Sequence, residues 1–357
     1  MARNSLVEHL AIAGRAAPSA DNSQSWRMVW DGSCLNLQFR ATGHTDLSPS
    51  PSDTATLLAM GGVIENIMQM GARLQLDLQL ETHPDDPGRY ASITVGKLEQ
   101  KQDLPRDHPL FSRHTNRFAY AATPLPEDVK SELVSMRDGS ANILLFDEAD
   151  SIRGIANLIK TASGVRFRVR QAHEWLAGSL RFNTSEEVHG SGMDVRSLDL
   201  PPGGATLLRI TRSWRVMSAL NKLGVYRFMA AADSAPVFAA PALVAIRASS
   251  DSAGAIEAGR LLTRAWIRLN ELNIAVHPYY VITDQLARLR EHTLPGELEA
   301  TVAQIKEECS RRCALSDSDS LYMVLRVGYP KRAAPRSLRV ALAEVYLDQS
   351  DESAAGQ

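Results

Sequence analysis

Three cysteines in 357 residues, Cys34, Cys309 and Cys313, are too few and too irregularly spaced for a disulfide framework. Their scarcity argues against a stapled secreted fold, and the expected compartment is the cytoplasm. Cys309 and Cys313 share one helical face, but neither a histidine nor a third cysteine completes a zinc set, so surface or half-buried thiols and no metal are expected. No apolar run approaches a membrane span, and Arg3, Asn4, Glu8 and His9 stand where a signal peptide needs uninterrupted apolar residues. Neither sign of charge dominates: the formal net charge is −2, which supplies no field for nucleic acid or an anionic membrane. Any anionic ligand must therefore be held by a local cluster. Gly61, Gly62 and Gly71 form neither a dinucleotide-binding fingerprint nor a P-loop. No Ser–His–Asp or paired-carboxylate spacing supports hydrolysis. What remains is an ordinary globular composition, 44% hydrophobic and 22% charged, in a chain long enough to bury a large core.

Hydropathy patterning divides the chain. Gly14 and Pro18 end a short helix and open a polar loop from Ser19 to Gln24. Trp26 to Trp30 and Cys34 to Phe39 alternate around Asp31-Gly32 and predict a hairpin. Helical spacing from Asp53 to Met70, with Ser52 or Asp53 as N-cap, leads to a strand at Leu76 to Leu80. Placing Gly61 over Gly259 brings Leu74, Leu76 and Leu78 onto Leu272, Ile274 and Val276, which predicts a second copy of the helix-to-strand unit. Between the copies, 97–109 is charged and carries Pro105 and Pro109 like a linker, so a boundary is expected near residue 105. The expected domains are 1–105 and 106–347, the second interrupted by a helical cap at about 150–235, with a small polar tail at 348–357 expected to be disordered.

Three clusters could carry chemistry. Ala17-Pro18-Ser19-Ala20-Asp21-Asn22-Ser23-Gln24-Ser25-Trp26 offers short polar side chains and free amides, although Ser, Asp and Asn favour turns and caps on their own account. Arg113-His114-Thr115-Asn116-Arg117 sets two guanidinium groups and a hydroxyl at alternating positions, which suits a phosphate. Asn273 to Tyr280 places Pro278 at the end of the second repeat's strand, with Tyr279 and Tyr280 beside it.

The order of residues in the first cluster resembles the A-P-S-x-x-N-x-Q-P-W loop of nitroreductase-like flavoproteins, with Ser25 where the family commonly has proline. The second resembles that family's R-x-S-x-R element, and Arg336 in Ala334-Pro335-Arg336 resembles its C-terminal arginine. The resemblance implies an α+β, nitroreductase-like fold in which two tandem half-repeats form an intramolecular pseudo-dimer, with mixed and antiparallel sheets flanked by helices. It is closest in kind to the fused two-repeat group with Acg-like and ThiF-associated members. It further implies FMN as cofactor, held by Arg113, Thr115, Arg117 and Arg336 at the phosphate and ring edge, by Ser19, Asn22 and Gln24 from the loop, and by Pro278 and Tyr279 near the ring.

The activity so implied is that of an FMN-dependent oxidoreductase. It would pass hydride through flavin N5 to or from a small organic molecule, reducing it with NAD(P)H or oxidising an intermediate such as an alcohol. The alternative is a flavin-sequestering protein whose cap covers the ring. No side chain is assigned as proton donor. His173, Arg181 and Tyr280 are weaker candidates for substrate contact, since a charged amphipathic helix face with Trp175 buried explains the first two better. With a small-molecule partner and neither nucleic acid nor membrane, the chain is expected to be monomeric through internal pairing, with room for higher oligomers.

Overall fold

A computed structural model describes residues 2–42, 50–96, 103–183, 186 and 189–350. Helix α1 (Ala2–Arg15) buries Leu6, Val7, Leu10, Ala11 and Ala13, a three-to-four spacing that makes one apolar face. The hairpin follows as β1 (Trp26–Trp30) and β2 (Cys34–Phe39), paired antiparallel. Its turn is held by Asp31, whose Oδ1 accepts from the N–H groups of Ser33 at 2.9 Å and Cys34 at 2.8 Å, and Gly32 supplies the left-handed φ of 97°. Next come α2 (Thr54–Arg73), β3 (Leu78–Thr82) and β4 (Ala91–Val95). The strand expected from Leu76 begins two residues later, because Gln75 turns through a left-handed conformation at φ 55°.

The second unit opens with α3 (Glu127–Ser135), β5 (Arg137–Asp138) and β6 (Ala141–Phe146). A cap follows: α4 (Ala149–Arg166), α5 (Arg170–Ser179), β7 (Leu180–Arg181), β8 (Met193–Asp194), α6 (Gly204–Ile210), α7 (Trp214–Lys222) and α8 (Val225–Phe238). The first part of the stretch expected to be helical is thus two helices parted at Phe167–Val169, then a short strand. The chain returns through β9 (Ala242–Ser249), α9 (Ser252–Glu271), β10 (Ala275–Tyr279), α10 (Val281–Arg290), α11 (Gly296–Arg312) and β11 (Asp319–Gly328), and ends in α12 (Leu342–Val345) and β12 (Tyr346–Asp348).

Ten of the described strands form two five-stranded sheets, in the orders β12-β1-β2-β4-β3 and β10-β11-β9-β6-β5, and β7 and β8 pair separately in parallel, so the architecture is α+β, as expected. In both, a strand is followed by a 20-residue helix, α2 or α9, and then by the sheet's edge strand. Both helices are followed by a left-handed polar residue, Gln75 or Asn273. β12 runs parallel to β1, Met28 opposite Tyr346, so the end of the chain completes the first sheet. Asp348 closes that strand and the Gln349 N–H donates to the Trp30 carbonyl, so 348 and 349, expected in the tail, are held to the first sheet; 351–357 and the linker residues 97–102 lie outside the described residues.

α2 and α9 cross at Gly61 and Gly259, where a Cβ on either glycine would stand 2.1 Å from a backbone carbonyl oxygen of the other helix. Beside the crossing, Arg264 grips the buried Glu65 at 2.7 Å through both Nε and Nη2 and reaches Asp138 at 2.6 Å. Arg260 adds a contact to Asp138 at 3.1 Å. Cys309 and Cys313, expected at or near the surface, are fully buried, because α11 turns that face onto α4 and the second sheet.

Candidate functional site

A cavity of about 790 Å³ opens among α2, α9, β10 and the helices between 149 and 238, within the range of ligand sites. Its walls bring together segments from across the sequence: the loop after α1, the start of α2, the 113–117 segment, β10, the cap, and 335–339.

The loop is strained and pinned. Ala20–Asn22 forms a single 3-10 turn, and Asp21, Asn22 and Gln24 all have positive φ, 48°, 59° and 55°. Such conformations persist where the surroundings over-determine them. The Gln24 N–H donates to Ser19 Oγ at 3.0 Å. Asn22 Nδ2 donates to the carbonyls of Gly190 at 3.0 Å, Gly192 at 3.1 Å and Leu338 at 3.1 Å. Gln24, 0% exposed, donates to the Gly190 carbonyl at 2.8 Å and accepts from the Val340 N–H at 3.1 Å. The Asn22 and Gln24 amides are therefore latches tying the loop to the cap and to the C-terminal segment; Asn22 still lines the cavity, whereas Gln24 does not.

One end of the cavity is cationic. Arg113 is buried, donates through Nη2 to the Ala16 carbonyl at 3.1 Å, and stacks on Trp266 with its guanidinium carbon 4.6 Å from the ring centre. Arg339 donates to the same carbonyl at 3.3 Å and to Asn22 Oδ1 at 3.0 Å. Among the described residues neither makes an ion pair, and each leaves a buried Nε without a partner. Burial, and then the Arg339 charge, pull Arg113 down to about 9; burial, and then Arg15, pull Arg339 down to about 10. A guanidinium stays protonated in a protein, so both arginines carry a desolvated charge next to a like charge, a cost that a bound anion would relieve. His114, also on the wall, is lowered by burial and further by Arg336 and Arg113. Arg336 lines the cavity but is exposed, so the better-engaged arginine of the C-terminal segment is Arg339, three residues beyond the one expected from sequence.

The other end faces the cap. Arg117 extends away from Arg113, with Nη1 3.4 Å from Ser197 Oγ and Nη2 3.4 Å from Met193 Sδ. Asp21, half-buried on the wall, accepts a 2.7 Å bond at Oδ2 from Trp175 Nε1. Burial raises its carboxyl above the usual range against the opposing pull of Arg166, the Trp175 bond and Arg117, while Asp284 adds to the rise. Pro278 and Tyr279 line the wall from β10, and the Tyr279 hydroxyl donates to the Asp233 carbonyl at 3.2 Å. Tyr280 lines it beside Thr54, and Thr115 lines it with no hydrogen bond from its hydroxyl among the described residues. His277, which sequence reasoning passed over, also faces the cavity; burial, Arg117 and Arg326 hold its imidazole neutral.

Two candidates fall outside. His173 is buried off the wall, its ring 5.5 Å from that of Trp214. Arg181 turns back to the carbonyls of Gly178 at 2.7 Å and Leu180 at 3.3 Å. Among the described residues there is no cluster of His, Cys, Asp and Glu able to hold a metal ion, and no helix is long and apolar enough to cross a membrane.

No family model and no curated protein matches the chain. Among solved structures it is similar to a nitroreductase with bound FMN from Bacteroides fragilis, at 9% identity, covering 67% of this chain and 95% of that one with a TM-score of 0.38. It is similar also to the FMN-dependent nitroreductase NfnB from Mycobacterium smegmatis in complex with NADPH, at 15% identity, 68% and 97% coverage, and a TM-score of 0.37. A third similar structure is iodotyrosine deiodinase bound to FMN and 3-iodo-L-tyrosine, at 13% identity, 65% and 93% coverage, and a TM-score of 0.34.

Proposed function

We propose that the chain is an FMN-dependent oxidoreductase of nitroreductase-like type with one flavin site per chain, built between two half-repeats that pair as a pseudo-dimer within a monomer. The observation that carries this reading is the pair Arg113 and Arg339: two guanidinium groups on a cavity wall, converging on one carbonyl and lacking any carboxylate among the described residues. They fit the phosphate of FMN, with Arg336 and Thr115 adding donors from the same wall. Ser19 and the main chain of the pinned loop would border the ring, and Pro278 and Tyr279 would border it from β10. When bound, the isoalloxazine supplies two-electron chemistry at N5. The protein's part is to fix the loop through Asn22 and Gln24, to exclude water with the cap, and to keep Arg117 charged and His277 neutral near the ring. NAD(P)H is the proposed hydride donor, and a small organic molecule the acceptor.

Titration of the purified protein with FMN and with riboflavin, followed by flavin fluorescence, tests this directly. FMN is expected to bind and riboflavin, lacking the phosphate, to bind far more weakly. Equal affinity for the two, or no binding, would overturn the assignment. A second reading, flavin sequestration, is favoured by the cap, which puts Phe167, Trp175, Leu208 and Met229 on the cavity wall. Anaerobic mixing of the loaded protein with NADPH and NADH separates them: bleaching supports the reductase, and reduction by dithionite alone supports the store.

A further inference from the structure

We propose that Asp21 is the residue that hands a proton to the substrate, and that Trp175 of the cap positions it. The inference rests on the FMN reading and adds the acid that reading lacks.

Asp21 is the one carboxylate on the loop between Pro18 and Trp26, and the loop turns it into the cavity at a left-handed position. Its Oδ2 is fixed by the 2.7 Å bond from Trp175 Nε1, while Oδ1 has no protein hydrogen bond among the described residues. The charged groups that face it come from separate elements: Arg166 at the end of α4, Arg117 from the 113–117 segment and Asp284 from α10. Arg166 is itself shared, since its Nη2 reaches Asp233 of α8 at 3.2 Å. Asp21 therefore lacks a committed ion-pair partner, and burial favours its protonated form. A carboxylate here would repel a flavin phosphate, and Asp21 stands with Arg117 and the cap rather than with Arg113 and Arg339. That leaves the proton of a bound substrate as its task.

The step balances with a nitroarene as acceptor. NAD(P)H, through the flavin, gives a hydride, and the Asp21 carboxyl gives one proton. One N–O bond breaks, that oxygen leaves as water, and the nitrogen is reduced by two electrons to the nitroso compound. NAD(P)H is oxidised to NAD(P)⁺, and solvent water reprotonates Asp21.

The variants are Asp21→Asn, Asp21→Glu and Trp175→Phe. Asparagine tolerates the left-handed backbone as well as aspartate does, so the first keeps the loop. Two measurements decide. In the flavin-free protein, tryptophan emission followed against pH should show a transition above the usual aspartate range that D21N and W175F both abolish. In the FMN-loaded protein, reduced with stoichiometric dithionite and mixed anaerobically with nitrobenzene, D21N should slow reoxidation by about 10²- to 10⁴-fold at unchanged FMN affinity, and lose the wild type's acceleration toward acid pH. D21E should recover part of the rate, and W175F should shift the pH profile more than the maximum. The inference is overturned if loaded D21N matches the wild type in rate and pH profile, if the emission transition survives in D21N, or if the reduced wild type passes no electrons to nitrobenzene. A wild type that takes up no FMN sinks the flavin reading together with it, whereas an unaffected D21N holoprotein sinks the inference alone.

Discussion

Replacing Gly61 with alanine is expected to loosen the whole molecule from its centre. The added Cβ would lie 2.1 Å from the Ile256 carbonyl oxygen, 2.8 Å from the Arg260 nitrogen and 2.9 Å from the Gly259 Cα, where ordinary contact begins at 3.4 Å. The crossing would have to open by about 1.3 Å, the difference between 3.4 and 2.1 Å. Overpacking costs about 1–3 kcal/mol, and the upper end applies because the obstacle is main chain on both helices, which has no other rotamer to take. Alanine recovers about 1 kcal/mol of helix propensity, leaving a net loss of about 2 kcal/mol. Leu58 and Ala59 of α2 and Leu262 and Trp266 of α9 line the cavity, so the shift should weaken FMN binding as well. Gly259→Ala, 2.1 Å from the Leu58 carbonyl oxygen, should do the same, and the double variant should lose less than the sum because the first substitution has already parted the helices. Urea midpoints alongside FMN titrations read all of this. A G61A protein as stable as the wild type, or strict additivity in the double variant, would refute the account of the crossing.

Other consequences follow from the same geometry. Arg339→Ala should weaken FMN by about 10- to 150-fold, the worth of one charged hydrogen bond, whereas Arg336→Ala at its exposed position should weaken it far less; flavin fluorescence titration ranks the two. Asn22→Ala removes the Asn22 bonds to the Gly190, Gly192 and Leu338 carbonyls and one anchor of Arg339, leaving Gly190 held by Gln24 and Leu338 by Arg339, so both the thermal midpoint and FMN affinity should fall, with FMN at saturation restoring part of the midpoint. Asp251 caps α9 by accepting the Gly254 N–H at 2.7 Å, a bond that, with the Ser249 hydroxyl, holds its carboxyl below the usual value. Its contribution is present above the unfolded aspartate value, about 3.9, and is lost as pH falls through the lower folded value. Asp251→Ala should therefore cost about 1 kcal/mol at neutral pH in urea titrations, and the difference from the wild type should close in strong acid.

Much of the scaffold was legible because local chemistry dictates it. Asp31-Gly32 marks the hairpin turn, Pro18 ends the first helix, and the apolar spacing around Gly61 and Gly259 declares two helices of one kind. The cap was legible as helices but not in its facing. Ala172, Trp175 and Leu176 recur at the spacing of one helical face and reach the cavity, while His173 sits about 100° around the helix from Ala172 and is turned into the packing against Trp214. Composition names an amphipathic helix without saying which neighbour its faces will meet. Gln24 and Asn22 show the same limit in a loop: amides that suit a ligand suit backbone carbonyls equally well, and here Gly190, Gly192, Leu338 and Val340 claim them.

Arg339 makes the sharpest case, because nothing near it in sequence marks it. It reaches the loop since β12 pairs with β1, a contact between opposite ends of the chain that no local periodicity encodes. That pairing draws 336–340 across the mouth of the first unit, where Arg339 meets Arg113 on the Ala16 carbonyl and the Val340 N–H meets Gln24. The cationic end of the cavity is therefore a tertiary product of sheet completion. The hold proposed there for the FMN phosphate depends on a three-residue strand, so weakening β12 should lower FMN affinity in a fluorescence titration before it unfolds either sheet.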